Sequence, residues 1–309
     1  MKYSKIAETD LMVSSVSLGT WALGGLNWGD VNKEEAIGAV HAAIDHGISL
    51  IDTAPFYGYG NAERLIGEAL VGRREKVVLA TKCGLVGKGK GVICCLKPES
   101  IRKEINDSLV RLRTNYIDLY QCHWPDESTP IEDTVSCLKD LQAEGKIRYI
   151  GVSNFLLPLL KKSAALAHIV TLQSHLSLLQ RQLQENILPY CAEHGIGVLT
   201  YGSLGGGILT GKYARPKDFP KDDARSFFYK FYKGEKFNQV KIFQDKLRTL
   251  DLPLNQIALN WVRHQKGIIS VLAGCRNARQ VIDNIEAVEW DLNPGQLAFI
   301  DKALEECNL

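Results

Sequence analysis

Short apolar runs recur along the chain at intervals that leave room for a helix between them. Residues 48–51, 77–81 and 117–122 are rich in Ile, Leu and Val and too short for helices, so they predict buried strands. Residues 63–70 and 101–112 repeat apolar side chains at helical spacing. Strand and helix therefore alternate, which is typical of a parallel α/β fold.

The alternation continues to the end of the chain. Eight strands close a parallel barrel, so we predict a (β/α)8 TIM barrel forming a single domain over residues 1–309. Residues 3–6 and 13–16 flank a turn at 8–10, which predicts a β-hairpin at the barrel floor. The remaining strands are predicted at residues 16–20, 147–152, 169–173, 196–201 and 268–273.

Three ionisable residues stand where predicted strands give way to loops. Asp52, Lys82 and His123 each follow an apolar run, and the active site of such a barrel lies at the carboxyl ends of its strands. Taken singly, each could be a solvated loop residue, and Asp52 and Lys82 could form a structural ion pair. Three such residues at equivalent strand ends favour a single active site. Tyr57, on the glycine-rich and proline-containing loop after Asp52, is its candidate proton donor.

These residue types suit proton transfer to a carbonyl oxygen. A free tyrosine has a pKa of about 10 and holds its proton too firmly to be an ideal donor at neutral pH. A neighbouring lysine ammonium should lower the pKa of Tyr57, and Asp52 should keep Lys82 charged and in place. His123 should donate a hydrogen bond to the substrate carbonyl.

Longer motifs surround these residues in a specific order. The chain resembles the aldo-keto reductase superfamily, in particular its bacterial general-stress and sugar-dehydrogenase-like branch. The resemblance implies a tetrad of Asp, Tyr, Lys and His. It also implies reduction of aldehydes or ketones to alcohols, or oxidation of a sugar or alcohol in reverse. The motifs that carry it are residues 18–25, 52–63, 81–82, 122–125, 145–155, 201–207 and 274–284.

The same resemblance implies a nicotinamide cofactor, with Tyr201 under the ring and Ser153, Asn154 and Gln173 at its carboxamide. Arg276 is placed to hold a 2′-phosphate, so NADP(H) is favoured and NAD(H) stays possible. The expected cofactor-binding residues are Gly19, Thr20, Trp21, Asp52, Ser153, Asn154, Gln173, Tyr201, Gly202, Ser203, Leu204, Gly205, Gly207, Gly211, Lys212, Gly274, Arg276, Gln280, Asp283 and Asn284.

Aromatic residues are expected to form the substrate pocket, which would suit sugars, aldehydes or cyclic ketones. The expected substrate-binding residues are Trp21, Trp28, Phe56, Tyr57, His123 and Trp124. The long irregular stretch 214–235 is typical of a lid. Its aromatic residues could cover the pocket or simply pack within the lid: Phe227, Phe228, Tyr229, Phe231 and Tyr232.

Two other functions compete with a reductase. Gly206, Gly211 and Lys212 have the spacing of a phosphate loop in a nucleotide hydrolase, but Tyr213 stands where that motif needs Ser or Thr. Potassium-channel beta subunits share the superfamily, so a nicotinamide-binding regulatory subunit is the second alternative. Turnover of simple aldehydes separates an enzyme from such a sensor.

Composition limits the cellular compartment and the classes of partner that we expect. A net charge of +2 argues against nucleic acid or an anionic membrane as partner and favours a small-molecule carbonyl or sugar substrate, with oligomerisation left open. The eight cysteines lack disulfide-framework or zinc spacing, so no metal site is expected and a reducing cytoplasm fits best. The adjacent Cys94 and Cys95 are a weak candidate redox pair.

Overall fold

Parallel strands close into a barrel in the computed structural model, which describes residues 1–88 and 91–309. Over these residues the strands are β1 (Tyr3–Lys5), β2 (Met12–Ser14), β3 (Val16–Gly19), β4 (Leu50–Asp52), β5 (Val78–Cys83), β6 (Leu85–Lys88), β7 (Gly91–Cys94), β8 (Ile117–Cys122), β9 (Ile147–Ser153), β10 (Ile169–His175), β11 (Gly197–Tyr201) and β12 (Ile268–Gly274). The barrel order is β3, β4, β5, β8, β9, β10, β11 and β12, with β12 paired to β3. The predicted eight-stranded barrel is confirmed.

Helices follow the barrel strands. They are α1 (Lys33–Asp45), α2 (Asn61–Ala69), α3 (Pro98–Leu112), α4 (Ile131–Ala143), α5 (Leu157–Leu166), α6 (Leu183–Glu193), α7 (Ala224–Phe227), α8 (Gly234–Arg248), α9 (Leu254–Arg263), α10 (Ala278–Glu286) and α11 (Pro294–Glu306). Strands β4, β5 and β8 are buried along their whole length, as expected when a sheet is covered on both faces. Because these neighbouring strands are parallel, their carboxyl ends present side chains to one common rim.

The hairpin β1–β2 closes the other end of the barrel. Its strands pair antiparallel, with Tyr3 opposite Ser14. Ile6, Leu11 and Val13 are buried in one apolar cluster with barrel-strand residues such as Leu50 and Leu119. The predicted floor hairpin is present, and apolar burial at the floor leaves the opposite rim for chemistry.

Two features above the rim frame the site. A second hairpin, β6–β7, follows β5 directly and was not predicted. The stretch 214–235 is largely irregular, as predicted, and contains the short helix α7. Within the described part of the chain, no helix is long and apolar enough to cross a membrane.

Candidate active site

The four residues predicted for catalysis meet at the carboxyl rim. Lys82 Nζ lies 2.7 Å from Asp52 Oδ2, 3.1 Å from Tyr57 Oη and 3.0 Å from the carbonyl oxygen of Thr53. The His123 ring packs edge-on against Tyr57, with 5.8 Å between ring centroids. Lys82 is fully buried, whereas Tyr57 and His123 reach a cleft above the rim.

Strand register and one tight backbone contact produce this convergence. Asp52 ends β4, Lys82 lies in β5 beside it, and His123 follows β8. The turn that holds Tyr57 lies so close to the first βα loop that a Cβ on Gly58 would fall 2.0 Å from the carbonyl oxygen of Gly24. Glycine is therefore required at this contact, which places the Tyr57 ring against Trp21.

Asp52 has hydrogen-bond donors on both carboxylate oxygens. Oδ2 accepts from Lys82, and Oδ1 accepts from Gln173 Nε2 at 2.8 Å and from Gln121 Nε2 at 3.3 Å. A buried charge needs such partners to offset the loss of water. Gln173 lines the cleft, as the cofactor prediction requires, but its amide nitrogen also serves Asp52.

The pKa of Tyr57 moves in the opposite direction to the one expected from sequence. Burial raises it well above 10, and the negative charge of Asp52 raises it further. Burial also lowers the pKa of Lys82, although Asp52 works against that effect. Desolvation is the larger of these two effects at the phenol, and both favour its protonated form. Tyr57 is therefore protonated at neutral pH and available as a proton donor.

His123 carries no charge at neutral pH. Burial, followed by the nearby Lys82 ammonium, lowers its pKa well below 6.5. A neutral imidazole keeps one N–H donor for a substrate oxygen. The Asn154 amide donates to the His123 carbonyl oxygen at 3.0 Å, and the Tyr201 hydroxyl donates to Asn154 Oδ1 at 2.8 Å. These contacts join the ends of three strands around the cleft.

The cleft has a volume of about 780 Å³ and contains nearly every residue predicted to bind cofactor. Gly205 and Gly211 are the exceptions. Both have positive φ, at 58° and 77°; Gly205 begins the turn Gly205–Thr210 and Gly211 directly follows it. Their backbone shapes the glycine-rich loop, and a Cβ on Gly211 would face Leu254. Their place in the loop geometry is what the structure shows, and a cofactor contact of Gly205 and Gly211 stays a prediction.

The chemistry along the cleft fits a dinucleotide with phosphates. Lys212 and Arg225 line it beside the glycine-rich loop, and Arg276, Gln280 and Asn284 line its far part. A Cβ on Gly207 would come within 3.2 Å of Lys212 Nζ, so the absent side chain leaves the ammonium room. Cations and open backbone amides together suit a pyrophosphate.

Arg225 was missed by sequence reasoning. Its guanidinium pairs with Asp223 and packs over the rings of Phe219 and Trp28. It lies in the irregular stretch after the glycine-rich loop, where no periodic pattern marks a side chain that faces inward. Only the fold of the lid turns this cation toward the cleft.

Arg276 already has a protein partner. Its guanidinium contacts the carbonyl oxygen of Asp30, and its backbone N–H donates to Gln280 Oε1 at 2.9 Å. A second cavity of about 570 Å³ adjoins it and is lined also by Asp30 and Glu35. Arg276 therefore offers a positive charge to a phosphate, and the carboxylates of Asp30 and Glu35 line the cavity next to it.

The residues predicted to bind substrate all line the cleft, whereas the aromatic residues of the stretch 214–235 line it only in part. All six residues line the cleft: Trp21, Trp28, Phe56, Tyr57, His123 and Trp124. From the lid, Phe227, Phe228 and Tyr229 line it as well. Phe231 and Tyr232 do not; they pack against the large apolar core, and the Tyr232 hydroxyl donates to the Gly206 carbonyl oxygen at 2.8 Å.

Gly202 and His175 fit one another sterically beside Tyr201. Gly202 has φ of 72°, and a Cβ there would lie 2.3 Å from His175 Nε2. The His175 ring thus occupies the space of a side chain at position 202 and packs edge-on against Tyr201. Burial lowers the pKa of His175 to about 4, so this packing involves a neutral ring.

All eight cysteines are free thiols. Cys94 is exposed at the end of β7, and Cys95 is half-buried. Burial, followed by Asp126, raises the pKa of Cys94, which disfavours the reactive thiolate. This environment offers no support for a Cys94–Cys95 redox pair.

Comparison with known proteins identifies the family of this chain. The family model described as "Aldo/keto reductase family" matches residues 15–305. The chain belongs to the aldo/keto reductase family. It is 39% identical to aldo-keto reductase YhdN of Bacillus subtilis, over 99% of this chain and 94% of that protein. It is 35% identical to the NADH-specific methylglyoxal reductase of Escherichia coli, over 99% of both chains.

A solved structure agrees with this aldo/keto reductase assignment. The glycerol dehydrogenase AKR11B4 from Gluconobacter oxydans superposes with a TM-score of 0.90 at 39% identity, covering 98% of this chain and 95% of that one. The protein is therefore an oxidoreductase that acts on carbonyl or alcohol groups. Neither the phosphate-loop hydrolase nor the regulatory subunit is favoured.

Proposed function

We propose that this aldo/keto reductase uses NADPH in preference to NADH to reduce a small, uncharged aldehyde or ketone, with Tyr57 as proton donor. The observation that carries the proposal is the buried contact chain in which Lys82 Nζ joins Asp52 at 2.7 Å and Tyr57 at 3.1 Å. It lies at the base of a cleft whose aromatic walls accept a substrate carbonyl and whose cations accept phosphates.

The residues divide the chemistry between proton and hydride. A bound nicotinamide supplies the hydride that reaches the carbonyl carbon. The phenol of Tyr57 gives its proton to the carbonyl oxygen, and the Lys82 N–H that already points at Tyr57 Oη stabilises the phenolate left behind. Asp52 holds Lys82 in place, and the neutral imidazole of His123 donates to the same carbonyl oxygen. In the reverse direction the phenolate takes the alcohol proton.

The cofactor preference rests on Arg276. A guanidinium is the best side chain for a 2′-phosphate because it forms paired charge-assisted hydrogen bonds. The carboxylates of Asp30 and Glu35 line the adjoining cavity and reduce the local positive potential. We therefore propose a preference for NADPH with retained use of NADH. A relative that is named as NADH-specific supports only the use of NADH.

The substrate proposal follows from the cleft wall. Beside the tetrad the cleft is bordered by Trp21, Trp28, Phe56 and Trp124, which offer apolar surface rather than a partner for a carboxylate. Relatives named for methylglyoxal and for glycerol support a small oxygenated substrate. A cytoplasmic location and a single domain over residues 1–309 stay predictions of the same proposal.

The test removes the hydroxyl group of Tyr57. Tyr57→Phe should lower the rate of NADPH-dependent reduction of methylglyoxal and glyceraldehyde by about 100-fold or more, since a positioned general acid contributes at least that factor. Binding of NADPH, followed by fluorescence titration, should be retained. The matched control is Tyr59→Phe, two residues away, where the side chain is 62% exposed and the rate should not change.

The two variants decide the assignment together. Reduction by Tyr57→Phe at a rate similar to that of the unmodified enzyme rules out the proposed proton donor. An equal loss in Tyr57→Phe and Tyr59→Phe attributes the effect to the loop and not to the phenol.

A further inference from the structure

A fully buried carboxylate lies behind the catalytic strand. Glu63 Oε1 accepts a hydrogen bond from the Thr81 hydroxyl at 2.7 Å, and Glu63 Oε2 pairs with Arg111 Nε at 2.5 Å. Both Glu63 and Thr81 have no exposed surface. This group lies outside the cleft, so the mechanism above makes no use of it.

Two of these side chains lie next to the proton donor and its lysine in the chain, and the third comes from a neighbouring helix. Thr81 immediately precedes Lys82 in β5. Glu63 lies in the first turn of α2, the helix that starts directly after the turn holding Tyr57. Arg111 lies in the last turn of α3. One carboxylate therefore connects the strand of Lys82 to the helix that follows Tyr57.

The packing around this connection is unusually close. A Cβ on Gly67 would fall 2.3 Å from the carbonyl oxygen of Arg111, and a Cβ on Gly60 would fall 2.7 Å from Arg111 Cδ. Helix α2 is thus in direct contact with Arg111 at both ends, with no side chain between them.

We propose that Glu63 is a positioning residue that sets the Tyr57–Lys82 contact by fixing α2 against β5. The inference rests on the proposed function, because it matters only if Tyr57 transfers a proton with help from Lys82. A buried ion pair is a poor source of stability compared with apolar packing, so a role in geometry accounts better for a charged group here.

The charge of Glu63 also affects the pKa of Lys82. The titratable groups around Lys82 are Asp52 from β4, Tyr57 from the turn, His123 after β8 and Glu63 from α2. Burial lowers the pKa of Lys82, while Asp52 and then Glu63 raise it. Removing the Glu63 charge should therefore lower the pKa of Lys82.

The first experiment breaks the hydrogen bond while keeping the charge. Thr81→Val removes the hydroxyl with little change of volume, and Thr81→Ser restores it. In single-turnover stopped-flow measurements with saturating NADPH and methylglyoxal, Thr81→Val should reduce the rate about tenfold, and Thr81→Ser should stay within twofold of the unmodified enzyme. Equal rates in Thr81→Val and the unmodified enzyme would overturn the positioning role.

The second experiment removes the charge. Glu63→Gln should move the loss of activity at high pH to lower pH. In the cofactor-free protein, NMR titration of 13C-labelled lysine should give a lower pKa for Lys82. The matched control is Asp118→Asn, a buried carboxylate near the start of β8 that pairs with Arg74 and Arg148. It should lower thermal stability and leave both titrations unchanged.

The outcomes separate this inference from the proposed function. If Tyr57→Phe abolishes reduction while Thr81→Val and Glu63→Gln behave like the unmodified enzyme, Glu63 is structural and the proton donor stands. A similar shift of the Lys82 pKa in Asp118→Asn also counts against a specific role of Glu63. If Glu63→Gln fails to fold, the Thr81 pair decides the question. If Tyr57→Phe retains activity, the proposed function itself fails.

Discussion

At the scale of residues, neighbours give identical side chains different chemistry. Tyr57 and Tyr59 lie two positions apart, yet Tyr57 is buried beside Lys82 while Tyr59 is exposed with φ of 51°. The position of Tyr57 relative to a strand end could be predicted from sequence. Its raised pKa could not, because that direction comes from desolvation by the surrounding fold and, after it, from the charge of Asp52.

The proposed cofactor preference also depends on a single residue, Arg276. Arg276→Ala should weaken NADPH binding about 10- to 100-fold and NADH binding much less, because only NADPH offers a 2′-phosphate to the guanidinium. Isothermal titration with both cofactors measures the difference. Arg279→Ala, an exposed position in the first turn of α10 and outside the cleft, is the control. Equal weakening of both cofactors by Arg276→Ala would contradict the proposed 2′-phosphate contact.

At the scale of elements, the lid and the glycine-rich loop form one unit. Tyr229 packs on Gly206, where a Cβ would come within 2.8 Å of its ring, and the Tyr232 hydroxyl donates to the Gly206 carbonyl oxygen. Sequence indicated a lid from length and composition alone. It did not distinguish aromatic residues facing the cleft from those, such as Tyr232, that attach the lid to the loop.

Loosening this attachment should affect the cofactor before the chemistry. Tyr232→Phe removes one hydrogen bond of about 0.5–1.5 kcal/mol, so NADPH should dissociate about two- to tenfold faster. Stopped-flow displacement measures the rate. Tyr190→Phe, in α6 and stacked on His194 away from the cleft, should leave dissociation unchanged. Unchanged dissociation in Tyr232→Phe would show that its hydrogen bond does not hold the lid on the loop.

At the scale of the whole molecule, the barrel buries carboxylates whose ionisation affects stability. Glu104 in α3 is 7% exposed and accepts the Gly84 N–H after β5. Burial raises its pKa from 4.5 to about 7. Since the folded state binds the proton more tightly than the unfolded state, this group destabilises the protein as pH rises from 4.5 through 7.

The pH dependence gives a test at this scale. Relative to Glu104→Gln, the free energy of unfolding of the unmodified protein should fall by about 3 kcal/mol between pH 4.5 and pH 8. Urea unfolding at both pH values measures the difference. Glu99→Gln, an exposed glutamate in the first turn of the same helix, should follow the unmodified protein. Parallel curves for Glu104→Gln and the unmodified protein would contradict a raised pKa.

The fold could be predicted because burial on both faces of a parallel sheet leaves a clear apolar signal in the strands. Each barrel strand lies within about two residues of its predicted range, and Asp52, Lys82 and His123 are adjacent because carboxyl ends of parallel strands share a rim. The hairpin β6–β7 was not predicted, because its second strand, Gly91–Cys94, is exposed and only four residues long.

The sequence by itself determined the barrel, the four side chains at its rim and the family to which the chain belongs, because these depend on local patterns repeated in a fixed order. Tertiary structure decided the features that local sequence patterns do not encode. Burial set the direction of the Tyr57 pKa, and the packing of the lid brought Arg225 into the cleft. The contact of α2 with β5 gave Glu63 its position behind Lys82, since desolvation and long-range contact exist only in the folded chain.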